Sequence, residues 1–178
     1  MWPEIKHNIR VVLSRCRNCA VYKNSDKGKT QLNPIITKFP FQPFQIVGLD
    51  FAGPLTHGHK YTLCMLDYFS KLVVLEPLRD ITTDSVAKAL FNRWISNYGC
   101  PYQFHSDNAT YFNSEKMLAL CSALGISQSF SAHFHPNGKE LVERKILTVK
   151  QSLRSLLFNR NKSTWCEYLP EIELALRC

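Results

Sequence analysis

The order of the apolar segments constrains the fold of this chain more than any other feature. Three apolar runs, at 44–52, 60–68 and 71–78, are separated by gaps short enough for hairpin turns. They predict three antiparallel strands. A helical pattern then covers about 83–98 and ends at Gly99-Cys100-Pro101, where a glycine and a proline stop the helix.

Strand and helix patterns alternate after this first helix. They predict a strand at 102–106, a helix at 114–124, a strand at 126–130 and a long helix from 139 to about 158. The loop between the last strand and the long helix contains His-Pro-Asn-Gly, a turn-forming sequence.

A last helix follows, with Thr164 and Glu167 predicted to form its capping box and Pro170 predicted to interrupt it. The complete order predicts an α/β domain with a five-stranded mixed sheet. Its first three strands are antiparallel, right-handed crossovers add the other two, and helices cover both faces. This order resembles that of RNase H-like domains.

The chain divides near residue 38, because Pro34, Pro40 and Pro43 keep the backbone extended until the apolar body begins. Residues 1–38 combine a predicted helix, a Cys-x-x-Cys pair and a basic linker, and residues 39–178 form the predicted catalytic body.

The net charge of +8 is unevenly distributed. Residues 1–38 carry eight Lys and Arg against two acidic residues, which leaves the body almost neutral. A second basic cluster occurs late in the chain, and its candidate contacts to DNA phosphates are Lys139, Arg144, Lys150 and Arg154. The alternative is a solvated surface that only confers solubility.

The composition argues against secretion and membrane insertion. Seven cysteines form an odd set, and several occur within apolar runs, which indicates reduced thiols instead of a disulfide framework. No apolar stretch reaches the roughly 20 residues that a membrane helix requires. We expect an intracellular, soluble protein with no membrane partner.

Three carboxylates are candidates for catalysis. Asp50 ends the first apolar run, Asp107 follows the strand at 102–106, and Glu143 lies in the first turn of the long helix. A carboxylate at the end of a buried strand loses solvation unless a positive charge, such as a metal ion, compensates it. Each residue alone is more often a cap or a solvated charge, so the prediction depends on their combination.

Several segments resemble, in the same order, the integrases of retroviruses and gypsy-like retroelements. They include Gly48-Leu49-Asp50-Phe51-Ala52-Gly53-Pro54-Leu55, Leu66-Asp67-Tyr68-Phe69-Ser70-Lys71, Tyr98-Gly99-Cys100-Pro101, Ser106-Asp107-Asn108, and His135-Pro136 followed by Leu141-Val142-Glu143-Arg144. The 35 residues between Asp107 and Glu143 match the family's usual spacing. The resemblance covers nearly the whole chain.

The resemblance implies an RNase H-like catalytic core that processes DNA ends and joins them to target DNA, so we expect it in the nucleus. Asp50 would bridge two Mg²⁺ or Mn²⁺ ions, while Asp107 and Glu143 would each hold one. DNA is the implied partner, and a homo-oligomer is possible. Asp67 also matches a family position, but we predict that it caps the turn before Ser70.

Cys16 and Cys19 resemble the second half of the zinc module that precedes integrase cores. The two upstream histidines are missing, so Zn²⁺ is doubtful as a cofactor. A redox Cys-x-x-Cys is ranked lower. Such a motif lies between a strand and a helix, whereas this pair follows a predicted helix and precedes a linker.

Some residues near the predicted active site depart from the family pattern. Ala109 replaces a glycine, and a requirement for positive φ there would strain the Asp107 loop. Lys139, Glu140 and Ile146 are also unusual, and the chain stops where related integrases continue. These departures motivate an alternative, an inactive, domesticated or degenerate DNA-binding module. A hydrolytic RNase H-like nuclease is a third hypothesis.

Overall fold

The computed structural model describes residues 42–54, 58–130, 147–152 and 162–177, with isolated positions at 4, 7–8, 11, 14–15, 144 and 155. The predicted boundary near residue 38, Cys16 and Cys19 lie outside the described residues. The division at residue 38 therefore stays a prediction.

The described body is built on one five-stranded sheet, ordered β3-β2-β1-β4-β5. The first three strands pair antiparallel, whereas β4 pairs parallel with both β1 and β5. This confirms the predicted mixed sheet and strand order. The strands are β1 (Ile46–Ala52), β2 (Tyr61–Asp67), β3 (Val73–Leu78), β4 (Gln103–Ser106) and β5 (Ser127–Phe130).

The helix between β3 and β4 begins and ends as its sequence predicts. Helix α1 (Thr83–Ala89) starts after Thr82, whose side-chain oxygen accepts a hydrogen bond from the Ser85 amide. The helix widens into a π-helical segment (Leu90–Ile95) and finishes with a short α-helical turn (Ser96–Tyr98). Gly99 ends it with φ of 85°, a conformation that glycine adopts without steric cost.

One further helix precedes β5, and two consecutive helices lie within residues 162–177. Helix α2 (Glu115–Ala123) is capped by the Ser114 side chain. A 3₁₀ helix (Lys162–Tyr168) leads into α3 (Leu169–Arg177). The helix type changes between Tyr168 and Leu169, next to Pro170, where the sequence predicted an interruption. Pro170 is the second residue of α3, a position where no intrahelical bond needs its amide.

Thr164 lies inside the 3₁₀ helix with φ of −105° and ψ of 22°. These non-helical angles mark a kink between two helical turns, and the capping box of Thr164 and Glu167 stays a prediction. The long helix expected from 139 to about 158 is helical at 144, 147–152 and 155, and its remaining residues lie outside the described part. We call these helical residues the late helix.

Helices cover both faces of the sheet, as predicted, and each face has its own core. Strand side chains alternate between faces, so consecutive residues of one strand enter different clusters. The first cluster joins the sheet to α1 and α2 through Val47, Leu49, Leu63, Met65, Val86, Leu90, Trp94, Phe104, Met117 and Cys121. The second joins it to the late helix, the 3₁₀ helix and α3 through Ala52, Cys64, Leu66, Val73, Leu75, Val149, Trp165, Leu169 and Ile172.

The described helices include none with both the length and the apolar character needed to cross a membrane.

Candidate active site

The sheet places Asp50 and Asp107 next to each other. Strands β1 and β4 pair in parallel, with Val47 beside Phe104 and Gly48 beside His105, a constant offset of 57 positions. The same offset brings Asp107, the residue after β4, beside Asp50. Adjacent strands run about 4.8 Å apart, so this alignment puts the two aspartates on neighbouring parallel strands. Asp107 follows its strand, as predicted, but Asp50 does not end β1, because pairing with β2 continues to Ala52.

Asp50 lies on the face of the sheet that the late helix covers. Its partner on β2 is Cys64, which belongs to the same cluster as Val149 of the late helix. The Asp50 side chain is partly exposed, and its Oδ1 accepts a 2.6 Å hydrogen bond from the Phe51 amide. This contact orients the carboxylate while leaving it open to solvent.

Asp107 begins a turn that holds its carboxylate in place. Its Oδ1 accepts from the Ala109 amide at 3.3 Å, and its carbonyl accepts from the Ser106 hydroxyl at 2.9 Å. The Ala109 carbonyl in turn accepts from the amides of Phe112 and Asn113, both at 3.0 Å. Ala109 is not among the described residues with positive φ. The strain considered from the sequence is therefore absent.

Asp50 and Lys150 both influence the thiol of Cys64. Burial is the main reason that the pKa of the Cys64 thiol rises to about 12, the Asp50 carboxylate raises it further, and the Lys150 ammonium lowers it. A thiol that responds to both charges lies near both residues. Lys150 is half-buried and directly follows Val149, which packs with Cys64 in the second core cluster.

Tyr111 is a neighbour of both aspartates that the sequence did not identify. Burial, then Asp107 and then Asp50 raise the pKa of its hydroxyl to about 12. Its ring packs edge-on against Phe51 at 5.2 Å and contacts Phe112 at 4.9 Å, measured between ring centroids. The only sequence signal was an aromatic pair four and five residues after Asp107 in a predicted turn.

Asp67 has a structural role, as predicted. It is fully buried, and its carboxylate accepts hydrogen bonds from the Phe44 amide, the Ser70 amide and the Ser70 hydroxyl at 3.0, 2.7 and 2.6 Å. It pairs with Val47 at the beginning of β1, three residues before Asp50. Asp67 therefore secures the β2–β3 turn away from the candidate active site.

The remaining candidate residues are only partly covered by the structure. Glu143, Lys139 and Arg154 lie outside the described residues, and Arg144 is exposed. Asp50 and Asp107 provide carboxylate oxygens, which Mg²⁺ and Mn²⁺ prefer as ligands. Within the described ranges, no group of three or more His, Cys, Asp or Glu side chains is placed to hold a metal ion.

Residues 41–136 match the family model described as the integrase core domain. This chain belongs to the integrase core domain family. The matched range includes Asp50 and Asp107. The similarity that the sequence motifs indicated is thereby confirmed for more than half of this integrase core.

Retroviral polyproteins are among the relatives of this integrase core. It is 29% identical over 178 residues to the Pro-Pol polyprotein of Simian foamy virus type 3 (strain LK3), with 98% of the chain and 15% of that polyprotein covered. The Gag-Pol polyprotein of Walleye dermal sarcoma virus is 27% identical over 175 residues, covering 98% of the chain and 10% of the polyprotein. The chain thus spans a small part of these relatives.

Solved integrase structures share the fold. The HTLV-2 integrase catalytic core domain in complex with magnesium (trimeric form) gives a TM-score of 0.59 at 22% identity, covering 72% of this chain and 84% of that one. The catalytic core domain of BIV integrase gives 0.56 at 24% identity, with 75% and 80% covered. These similarities confirm the RNase H-like fold.

Proposed function

We propose that this integrase core catalyses divalent-metal-dependent processing of DNA ends and their transfer into target DNA. The observation that carries the proposal is the placement of Asp50 in the second half of β1 and of Asp107 directly after β4, two strands that pair in parallel within the matched integrase range. The relatives are viral polyproteins that contain a segment similar to nearly the whole chain, which supports the same chemistry.

Carboxylates at this position fit two hard divalent cations. When bound, Mg²⁺ or Mn²⁺ would stabilise the negative charge on the entering and leaving oxygens of a phosphodiester exchange. Asp50, on the central strand, would contact both ions, and Asp107 would hold one. The partial exposure of both side chains leaves room for the ions and for a DNA phosphate.

Glu143 is the proposed third ligand. Val149 anchors the late helix beside Ala52 and Cys64, and Lys150 faces the neighbourhood of Asp50. Positions seven apart share one side of an α-helix, so a helix continuing back from Lys150 would present Glu143 on the same side, about 10 Å away along the axis.

The basic residues near this helix are proposed contacts to DNA. Arg144 is exposed and Lys150 is half-buried, and Lys139 and Arg154 would extend the same positive surface. Such residues neutralise phosphates without reading the base sequence. We also propose assembly into a homo-oligomer on DNA and action in the nucleus. Zinc binding at Cys16 and Cys19 stays doubtful, since the sequence supplies only half a site.

The test is metal-dependent cleavage and joining of a labelled duplex that carries element-end sequence, with Asp50→Asn as the decisive variant. The substitution keeps the side-chain size but removes the charge, and the rate should fall by at least about 100-fold, because metal stabilisation contributes several kcal/mol. Asp84→Asn is the matched control, since Asp84 forms only an exposed ion pair with Lys116. Full activity of Asp50→Asn would refute the assignment.

An inactive DNA-binding module is not favoured, because the integrase match includes the Asp107 turn and Ala109 does not require positive φ. The same assay covers the nuclease hypothesis. Preferential, metal-dependent cleavage of RNA–DNA hybrids over DNA ends would favour a hydrolytic RNase H-like enzyme instead of an integrase.

A further inference from the structure

Strand β5 is a short edge strand with the polar sequence Ser127-Gln128-Ser129 before Phe130. It pairs only with β4, whose last residue, Ser106, lies beside Phe130. An edge strand with few apolar side chains gains little from burial, so its attachment depends on hydrogen bonds. Because β4 leads directly into Asp107, these bonds also bear on the candidate active site.

Ser129 makes two side-chain contacts to β4 on the face that carries Asp50. Its Oγ lies 2.7 Å from Nδ1 of His105 and accepts a hydrogen bond from the side-chain Nε2 of Gln103. The His105 ring also meets Tyr68 edge-on, with 6.1 Å between the ring centroids. Since His105 lies two residues before Asp107, Ser129 holds the final part of β4.

Gln128 holds the Asp107 turn from the opposite face. Its Nε2 donates to the Phe112 carbonyl at 3.0 Å, and the Phe112 side chain is fully buried in the first core cluster. The backbone amide of Phe112 also donates a hydrogen bond to the Ala109 carbonyl, in the turn that starts at Asp107. Consecutive side chains of β5 therefore fasten both β4 and the turn that follows it.

The geometry points to Ser129 and His105 as positioning residues for the metal site. Their contact holds the end of β4 and thereby limits how far Asp107, the next residue of the chain, can shift relative to Asp50. This inference rests on the proposed function. Neither residue needs to touch substrate. The effect is indirect, because the contact restrains the backbone that leads into Asp107 and not the carboxylate itself.

The variant Ser129→Ala tests this role, with Ser127→Ala as the matched control on the same strand. Ser127 is exposed, and its hydroxyl donates to the Tyr102 carbonyl at 2.9 Å, at the end of β4 remote from Asp107. Each variant loses one hydroxyl: that of Ser129 makes two contacts to β4, and that of Ser127 makes one hydrogen bond, to the Tyr102 carbonyl. Only Ser129→Ala removes the contact adjacent to the predicted metal ligand.

Two measurements on the full chain separate positioning from general stability. The first is the Mg²⁺ concentration that gives half of the Mg²⁺-induced rise in melting temperature without DNA, and the second is the Mg²⁺ concentration that gives half-maximal strand transfer. Loss of a group that hydrogen-bonds a metal ligand directly typically costs about 10-fold or more in metal affinity, and Ser129 acts one step further out. We therefore expect an increase of up to about 10-fold in both concentrations for Ser129→Ala, none for Ser127→Ala, and partial rescue by Ser129→Thr.

Equal Mg²⁺ concentrations for the two serine variants would overturn the inference. So would a lower melting temperature in EDTA for Ser129→Ala with no change in either Mg²⁺ concentration, because that result describes a structural serine. Mg²⁺ stabilisation without DNA joining in the parent chain would refute the proposed function, while the thermal measurement would still decide the role of Ser129. A parent chain that does not respond to Mg²⁺ would overturn both.

Discussion

The hydroxyl of Tyr111 should report the charges of the two candidate metal ligands. Its pKa rises from 10.0 to about 12 through burial, Asp107 and Asp50, in that order of size. Burial is the largest cause, so it should keep most of its effect when one carboxylate is removed. Asp107→Asn and Asp50→Asn should each lower the pKa of Tyr111, with Asp107→Asn the stronger. The pKa should stay above 10 because burial remains.

Adding Mg²⁺ should change the pKa of Tyr111 in the same direction as the two aspartate substitutions. Cations bound at Asp50 and Asp107 would neutralise the carboxylates that oppose ionisation of the phenol, so the pKa of Tyr111 should fall as Mg²⁺ is added. Tyrosine labelled with ¹³C at Cζ gives the ionised fraction by NMR, and Tyr111→Phe assigns the resonance. Circular dichroism at each pH would establish that the chain remains folded.

Asp84→Asn is the control for this titration, because its carboxylate is exposed and is not a cause of the Tyr111 shift. An unchanged pKa of Tyr111 in both aspartate variants would show that the carboxylates do not act on one hydroxyl. That result would contradict the placement of Asp50 and Asp107 in a single site.

Two further predictions concern stability. Glu173 is buried and accepts hydrogen bonds from the Leu75 amide on edge strand β3 and from the Arg93 guanidinium, at 2.7 and 3.3 Å, so Glu173→Ala should lower the unfolding free energy in urea by about 1–3 kcal/mol. Glu171→Ala, a change at an exposed acid of the same helix, should have little effect. Stability should also decline from about pH 9 to pH 12, because burial raises the pKa of Cys64 to about 12 and of Cys121 to about 11. In that range the unfolded chain releases these protons first, so unfolding is favoured as pH rises; equal urea midpoints at about pH 8 and pH 10.5 would contradict this reasoning.

The sequence predicted most of the sheet because strand and helix periodicity are local properties. Three closely spaced apolar runs led to the antiparallel hairpins, and a change of period marked α1 with its end at Gly99. It also placed Asp107 directly after a strand, which the structure confirms, but it put Asp50 at the end of a strand, whereas β1 continues for two residues to Ala52.

Other features depended on contacts between residues distant in the chain. Glu173 reaches Leu75 across 98 positions, and Tyr111 meets Phe51 across the site. The sequence predicted an interruption at Pro170 but not its form: a 3₁₀ helix precedes it, and Pro170 lies in the first turn of a new α-helix. Backbone angles also decided that Ala109 is tolerated.

The amino-acid sequence by itself determined the order of elements, the carboxylate candidates and the resemblance to integrases, because these depend on residue type and spacing. The tertiary structure decided that Asp50 shares a sheet face with Cys64 and the late helix, and that Ser129 holds the strand leading to Asp107. The physical reason is that strand register, and the side of the sheet to which a residue points, arise from pairing with strands elsewhere in the chain.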